Sequence, residues 1–265
     1  MQAYTRTLIL IVVGLVLPIS LLSLRGQDKT KNEKQSQTVL RRADQTSSAP
    51  TEDEILPVAE AFPKEETDPQ KKLKREKRNA RFDKRGTYAI TEGERPSNVV
   101  FSHHWSGMSA FPIEESDAVL LVNIIDSNAY LSNDRTAVYS EFIAHVKEVI
   151  KDTAESPVAQ GSQVSIQRMG GAVEFPSGTV QRYTLAGQHM PRKGRSYLLF
   201  LKRTQENDFA LITGYELNGQ QVKPLDGSPG EKLPFELYRD SDVESFLDQL
   251  KASVASKEAE RKVKQ

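Results

Sequence analysis

The chain has 265 residues, 37% of them hydrophobic, with 36 basic and 36 acidic side chains and no cysteine. A hydrophobic share below the roughly 45–50% usual in globular domains implies that part of the chain stays outside any core. The lack of cysteine removes disulfides, thiolate zinc sites, iron–sulfur ligation, cysteine nucleophiles and a lipoprotein-type anchor.

Leu8 to Leu24 (LILIVVGLVLPISLLSL) carry no charge and follow Arg6. At about 1.5 Å per residue such a run lies at the short end of bilayer-spanning length. Leu21, Leu22, Leu24 and Arg25 stand where a cleavage site needs small residues. Residues 1–25 therefore read as a single-pass anchor in the cytoplasmic membrane, with a cleaved signal sequence and secretion as the alternative. Arg25, Lys29, Lys31, Lys34, Arg41 and Arg42 outweigh the charge before the run, and the positive-inside rule alone would keep the C-terminal side in the cytoplasm. A short leader, an apolar run and a long tail are the layout of an exported protein, and export to the periplasmic side is the expectation.

Residues 26–97 sustain no apolar period of 2 or 3.6. Residues 52–68 carry a net charge of −6 and residues 71–85 one of +7, an acidic block followed by a basic one. Such composition is that of a disordered charged linker. Residues 71–85 are also compatible with a solvated helix, since Lys, Arg, Glu and Ala are good helix formers, although Leu73 and Phe82 make no apolar stripe. A sharper alternative is a basic patch for anionic lipid or nucleic acid.

From residue 98 the pattern changes. Ala118–Ile125 is a short apolar run of strand length. Tyr139–Ile150 alternates, with Phe142, Ala144 and Val146 on one side, until Val149 and Ile150 break the period at a bulge or strand end. Gln163–Arg168 follows, then a hairpin turning at Pro176-Ser177-Gly178 and returning through Thr179–Leu185. Ser196–Arg203 is apolar on both faces over Tyr197–Leu201, as in a central strand. Phe209–Leu217 leads into Asn218-Gly219, a two-residue hairpin signal, and Gln220–Leu225. Ser241-Asp242-Val243-Glu244 reads as a capping box, opening a helix whose face is Val243, Phe246, Leu247, Leu250 and Val254. Beyond Ser256 the residues are charged and are expected to fray. The fold expected for 98–250 is thus mainly β: a small antiparallel β-barrel or sandwich of about six to seven strands with a C-terminal α-helix, followed by a charged tail, 251–265.

Chemical signatures are sparse. His103 and His104 are adjacent, so their side chains diverge in an extended chain and suit one metal ion poorly. His145 falls on the polar face of its strand. The loop Gly187–Gly194 holds His189, Arg192 and Lys193; it reads as a turn between strands or, more sharply, as a ligand-binding loop offering those three side chains to an anion. No G-x-x-x-x-G-K, G-x-G-x-x-G, H-E-x-x-H or G-x-S-x-G motif is present. No catalytic residue, metal ligand or cofactor is assigned.

Three segments, YSEFIAHVKEVIK, SGTVQRYTLAGQHMPRKGRSYLLFLKR and ALITGYELNGQQVKPLD, lie between Asp117 and Asp226. Through Glu148-Val149-Ile150-Lys151 and Met190-Pro191-Arg192, this region resembles uncharacterised exported or membrane-anchored all-β bacterial proteins, of acidobacterial type above all. The resemblance implies an all-β module and carries no activity. The strand number is also similar to that of an OB-fold, although the helix comes last and not between the third and fourth strands.

The resulting expectation is a non-enzymatic, membrane-anchored envelope protein that presents a β-barrel interaction domain to a protein or cell-wall partner. The alternatives are an OB-like module binding nucleic acid or another anionic ligand, which the net charge of residues 86–250 (14 basic, 22 acidic) disfavours for nucleic acid, and a hydrolase using His189.

Overall fold

Tyr197–Leu201 is apolar on both faces because the strand separates two cores. In the computed structural model Tyr197, Leu199 and Leu201 enter one buried cluster, and Leu198 and Phe200 enter another. The described residues are 56–86, 89–93, 98–101, 108–155, 157–205, 207–227 and 233–263. The apolar run 8–24, the linker before residue 56 and the loop with His103, His104 and Trp105 lie outside them. Among the described residues no helix is long and apolar enough to cross a membrane.

The elements in chain order are β1 (Val58–Glu60), α1 (Pro69–Ala80), β2 (Asn98–Phe101), β3 (Ala118–Leu131), β4 (Val138–Asp152), β5 (Gln163–Met169), β6 (Gly171–Glu174), β7 (Val180–Leu185), β8 (Ser196–Gln205), β9 (Asp208–Asn218), β10 (Gln221–Pro224), a 3-10 turn (Pro234–Tyr238) and α2 (Val243–Val263). The chain is mainly β, with two sheets and a C-terminal helix. The larger sheet has the order β10-β9-β5-β4-β3-β8, and β8 pairs with β9 as well, so the ladder that leaves β9 through β5 comes back to it. Its pairings are antiparallel except for β5 with β9, parallel over Ser165–Gln167, which departs from the expected wholly antiparallel arrangement. The smaller sheet has the order β1-β6-β7-β2, with both outer strands parallel to the hairpin between them.

Three apolar clusters follow from this arrangement. The first gathers Leu120, Val122 and Ile124 of β3, Phe142 and Val146 of β4, Ile166 of β5 and Phe209 of β9. The second lies under α2, where Phe246, Leu250 and Val254 meet Val119, Phe200 and Tyr215; full burial of a Phe or Leu side chain stabilises by about 1.5–3 kcal/mol. The third joins the far end of the β3–β4 hairpin to the smaller sheet through Ala129, Leu131, Val138, Val173 and Tyr183. The link between the sheets is Gly170-Gly171, at φ 104° and 147°. A Cβ on Gly171 would stand 3.1 Å from Ser140 Oγ and 3.2 Å from Ala129 Cβ.

Several expectations are corrected. β3 runs past Asp126-Ser127-Asn128 to Leu131, because a register shift between Ile124 and Asp126 exchanges its faces: even-numbered residues are buried before it, and Ala129 and Leu131 after it. The bulge foreseen at Val149-Ile150 is present, since Val119 pairs with Lys151 and Leu120 with Val149. Among the described residues ten strands form, nine of them within 98–250 where six or seven were expected, the extra ones there being short and set in the smaller sheet. The helix cap is Asp242, whose carboxylate accepts from the Ser245 N–H at 3.0 Å, one residue beyond the expected Ser241. α2 continues through the supposed tail to Val263, where Lys257 pairs with Glu114 at 3.0 Å.

The largest correction concerns the linker. Residues 56–86, expected to lie in a disordered linker with a solvated helix as the other reading of 71–85, form β1 and the helix α1, and Ala59, Ala61 and Ile90 are buried in the third cluster. Asp68-Pro69 starts α1: the carboxylate accepts from the N–H groups of Gln70 and Lys71 at 2.9 and 3.3 Å, and Pro69 occupies a first-turn position. The only buried residue of the helix is Arg78. Charge, not an apolar stripe, holds α1 down.

Candidate binding groove

Arg75, Arg78 and Arg81 recur every three residues and so share one face of α1. That face meets two carboxylates of the larger sheet. Arg78 donates to Asp208 through Nε at 2.8 Å and Nη2 at 2.5 Å, and to Glu141 through Nη1 at 2.9 Å. Arg75 donates to both oxygens of Glu141 at 3.0 and 3.3 Å and to the Tyr139 hydroxyl at 3.1 Å, with its guanidinium 3.5 Å from the centre of the Tyr130 ring. Arg81 reaches Thr204 Oγ1. The Tyr139 hydroxyl donates a hydrogen bond to Asn79 Oδ1 at 2.8 Å, and Phe82 stacks on the Tyr139 ring with centroids 4.1 Å apart. Burial pushes the Tyr139 phenol up to about 12, against the pull of Arg75.

Beside this contact lies a groove of about 860 Å³. One wall is α1, from Lys71 to Asn79. The other is β1 with the loop through Pro63 and Glu66. The floor is the end of β3, Asn128 to Ser132 with Asn133. Seven cationic side chains line it against four carboxylates. Lys72 is held by Glu65 at 2.5 Å, and Arg75 and Arg78 by Glu141. Lys64, Lys71 and Lys74 are exposed and have no carboxylate within ion-pair distance among the described residues.

The three side chains singled out in the 187–194 loop do not converge. Arg192 donates to Glu216 at 3.0 Å and its backbone N–H to the Tyr197 hydroxyl at 2.9 Å. Lys193 is exposed and lies 3.2 Å from Asp126. The His189 ring contacts the Gly227 carbonyl at 3.3 Å. The loop also braces the fold. His189 places its carbonyl 2.8 Å from Arg168 Nη1 and its N–H 3.4 Å from Asp226, bracing an ion pair in which Arg168 Nη2 meets both Asp226 oxygens at 2.6 Å. Thr213 adds a hydroxyl donor to Asp226 at 2.8 Å. His145 is exposed, as its strand position implied.

Lys151 is a further buried cation, its ammonium donating to the carbonyls of Ile113 and Ser116. Burial pushes its pKa down, with Arg261 adding to the effect. Its contacts tie the 112–117 turn to β4. Among the described residues no group of three or more His, Asp or Glu is arranged to hold a metal ion.

The groove escaped the sequence reading because its walls and floor come from segments about 60 residues apart, as the Arg75–Glu141 contact shows. Two local signals were nevertheless present: the Asp68-Pro69 helix start, and the three-residue spacing of the arginines. No protein-family model matches the chain, and no curated protein is similar to it.

Proposed function

We propose that the chain is a membrane-tethered envelope protein whose β-rich domain, an OB-like barrel with a docked helix, serves as an interaction module outside the cytoplasmic membrane. The observation that carries the reading is the groove along the end of β3, an open channel between a strand and a helix whose wall is rich in cations. The return of the β9–β5–β4–β3–β8 ladder to β9 supports the barrel description, five strands being the OB number. The run Leu8–Leu24 supports attachment.

A nucleic-acid function draws less support, because Arg75 and Arg78 of the basic segment are committed to Glu141 and are not offered to phosphates. The reading is tested by fractionating expressing cells and treating intact spheroplasts with protease, followed by detection of α2 with an antibody. A membrane-bound domain cut from outside is expected. A protected domain, or a full-length chain in the soluble fraction, would overturn it.

A further inference from the structure

Backbone groups of β3 face the groove without a strand to receive them. In an antiparallel ladder, successive residues turn their N–H and C=O alternately towards one neighbour and the other. The Ser132 N–H donates to the Ala137 carbonyl at 2.9 Å, and Tyr130↔Tyr139 and Asn128↔Glu141 follow at two-residue steps. Tyr130 and Asn128 therefore bond to β4. On the far side of β4, Gly170 donates to the Val138 carbonyl at 2.8 Å, which is consistent with this phase. Ala129 and Leu131 must turn their N–H and C=O outward.

Among the described residues no strand pairs with them there. The β8 ladder ends at Asn123, and the last bonds on that side join Ile124 to Gly194 and Arg195. Ala129 and Leu131 both line the groove. Two donors and two acceptors one strand repeat apart are what an added strand engages, and its side chains would then point alternately to the two walls.

The walls differ in chemistry. On the Asn128 and Tyr130 face stands α1, with Lys71 and Lys74 exposed. On the Ala129 and Leu131 face stands β1, with Val58, Ala59 and Pro63 beside the carboxylates of Glu60, Glu65 and Glu66, which disfavour acidic side chains on that side. We propose that the groove binds an extended segment of a partner protein, paired to β3 at Ala129 and Leu131, with acidic side chains towards α1 and apolar ones towards β1. The proposal rests on reading the domain as an interaction module, but not on where the domain resides.

The test uses the full chain in mild detergent, hydrogen exchange followed by mass spectrometry, and two blocked synthetic peptides of about eight residues, one alternating Glu and Val and the other Lys and Val. With a Kd of about 0.2 mM, the Glu-Val peptide at about 1 mM slows exchange of the Ala129 and Leu131 amides about sixfold, the value of 1 + [L]/Kd. The Lys-Val peptide leaves them unchanged. Lys71→Glu with Lys74→Glu, at exposed positions, reverses the preference. Ala129→Pro deletes an outward N–H that β4 does not use, and abolishes the protection; should it fail to fold, the lysine variant decides. No protection by the Glu-Val peptide, or equal protection by both, would overturn the proposal. So would protection that arises without peptide and grows with protein concentration, which would identify a second copy as the occupant. Failure here leaves the spheroplast result standing, and the reverse also holds.

Discussion

Arg78 Nη2 lies 2.5 Å from Asp208 Oδ1, joining positions 130 residues apart. The contact fixes the arm that precedes the β-domain to the start of β9, and Glu141 links the same guanidinium to β4. Both partners are largely buried, at 9% and 2% side-chain exposure. Burial makes the pair costly to break and leaves its net contribution small, since each ion gives up hydration on docking.

The first prediction follows from that asymmetry. Arg78→Ala leaves the Asp208 carboxylate buried without its main partner and is expected to cost about 3–5 kcal/mol in urea unfolding. Trypsin should then cleave at Lys71, Lys72 and Lys74 faster than in the parent chain. Arg78→Met combined with Asp208→Leu should cost far less than the single change. A single-variant loss under about 1 kcal/mol would mean that the apolar contacts of Phe82 and the β1 segment hold the arm unaided.

What the sequence revealed and what it hid divide along the same physical line. Tyr197–Leu201 and the Phe246, Leu250, Val254 face were legible because apolar burial leaves a period of 2 or 3.6. The docking of α1 was not, although its helix was one reading of 71–85, because its buried face is arginine and the carboxylates that receive it, Glu141 and Asp208, look like solvent-facing residues of their own strands. β3 beyond Ile124 was hidden by a shift that moves burial from even to odd positions. Of the candidate site, His189, Arg192 and Lys193 were legible as a loop of polar residues; their partners Gly227, Glu216 and Asp126 belong to three different segments, which no local pattern reports.

The second prediction concerns the Asp226 network. Thr213→Val keeps the shape and removes the 2.8 Å donor to a carboxylate that has no exposure. A hydrogen bond to a charged group contributes about 1.5–3 kcal/mol, and a loss of that size is expected. His189→Ala should cost under about 1 kcal/mol, because the residue braces the ion pair through its backbone. Equal losses for the two variants would mean that the His189 ring carries part of the network.

Gly214 sits opposite Leu199 in the β8–β9 ladder, where a Cβ would stand 2.6 Å from the Leu198 carbonyl oxygen and 2.6 Å from Leu199 Cδ2. The first of these atoms is backbone in a central strand and has little room to withdraw. Gly214→Ala is therefore expected to destabilise by about 1–3 kcal/mol as an overpacking change. Gly178→Ala, at a turn with nothing within 4 Å, is strained only by its φ of 83° and should cost about 1 kcal/mol. Denaturant midpoints of the two variants give the comparison; a smaller loss at Gly214 would show that β8 and β9 separate readily.

The last prediction is alkaline. Burial pushes the phenols of Tyr139 and Tyr197 from 10 up to about 12, in spite of the nearby Arg75 and Arg192. Below pH 10 folded and unfolded chains both keep these protons, and the contribution of the two residues is complete. Between pH 10 and 12 the unfolded chain gives them up while the folded one holds them, so stability falls as the pH rises, by about 2–3 kcal/mol per tyrosine across the window. The opposite sign holds for Asp134. Burial would raise its carboxyl, but donors from Ser132, Lys84 and Thr136 hold it down to about 2, so its contribution is present above the usual carboxylate range and is lost as the pH falls towards 2. Unfolding midpoints measured across both limbs, with absorbance at 295 nm reporting phenolate, give the test. Tyr139→Phe and Tyr197→Phe should each flatten the alkaline limb, since phenylalanine has no proton to lose. An alkaline limb as steep in the double variant as in the parent would assign the loss to other groups.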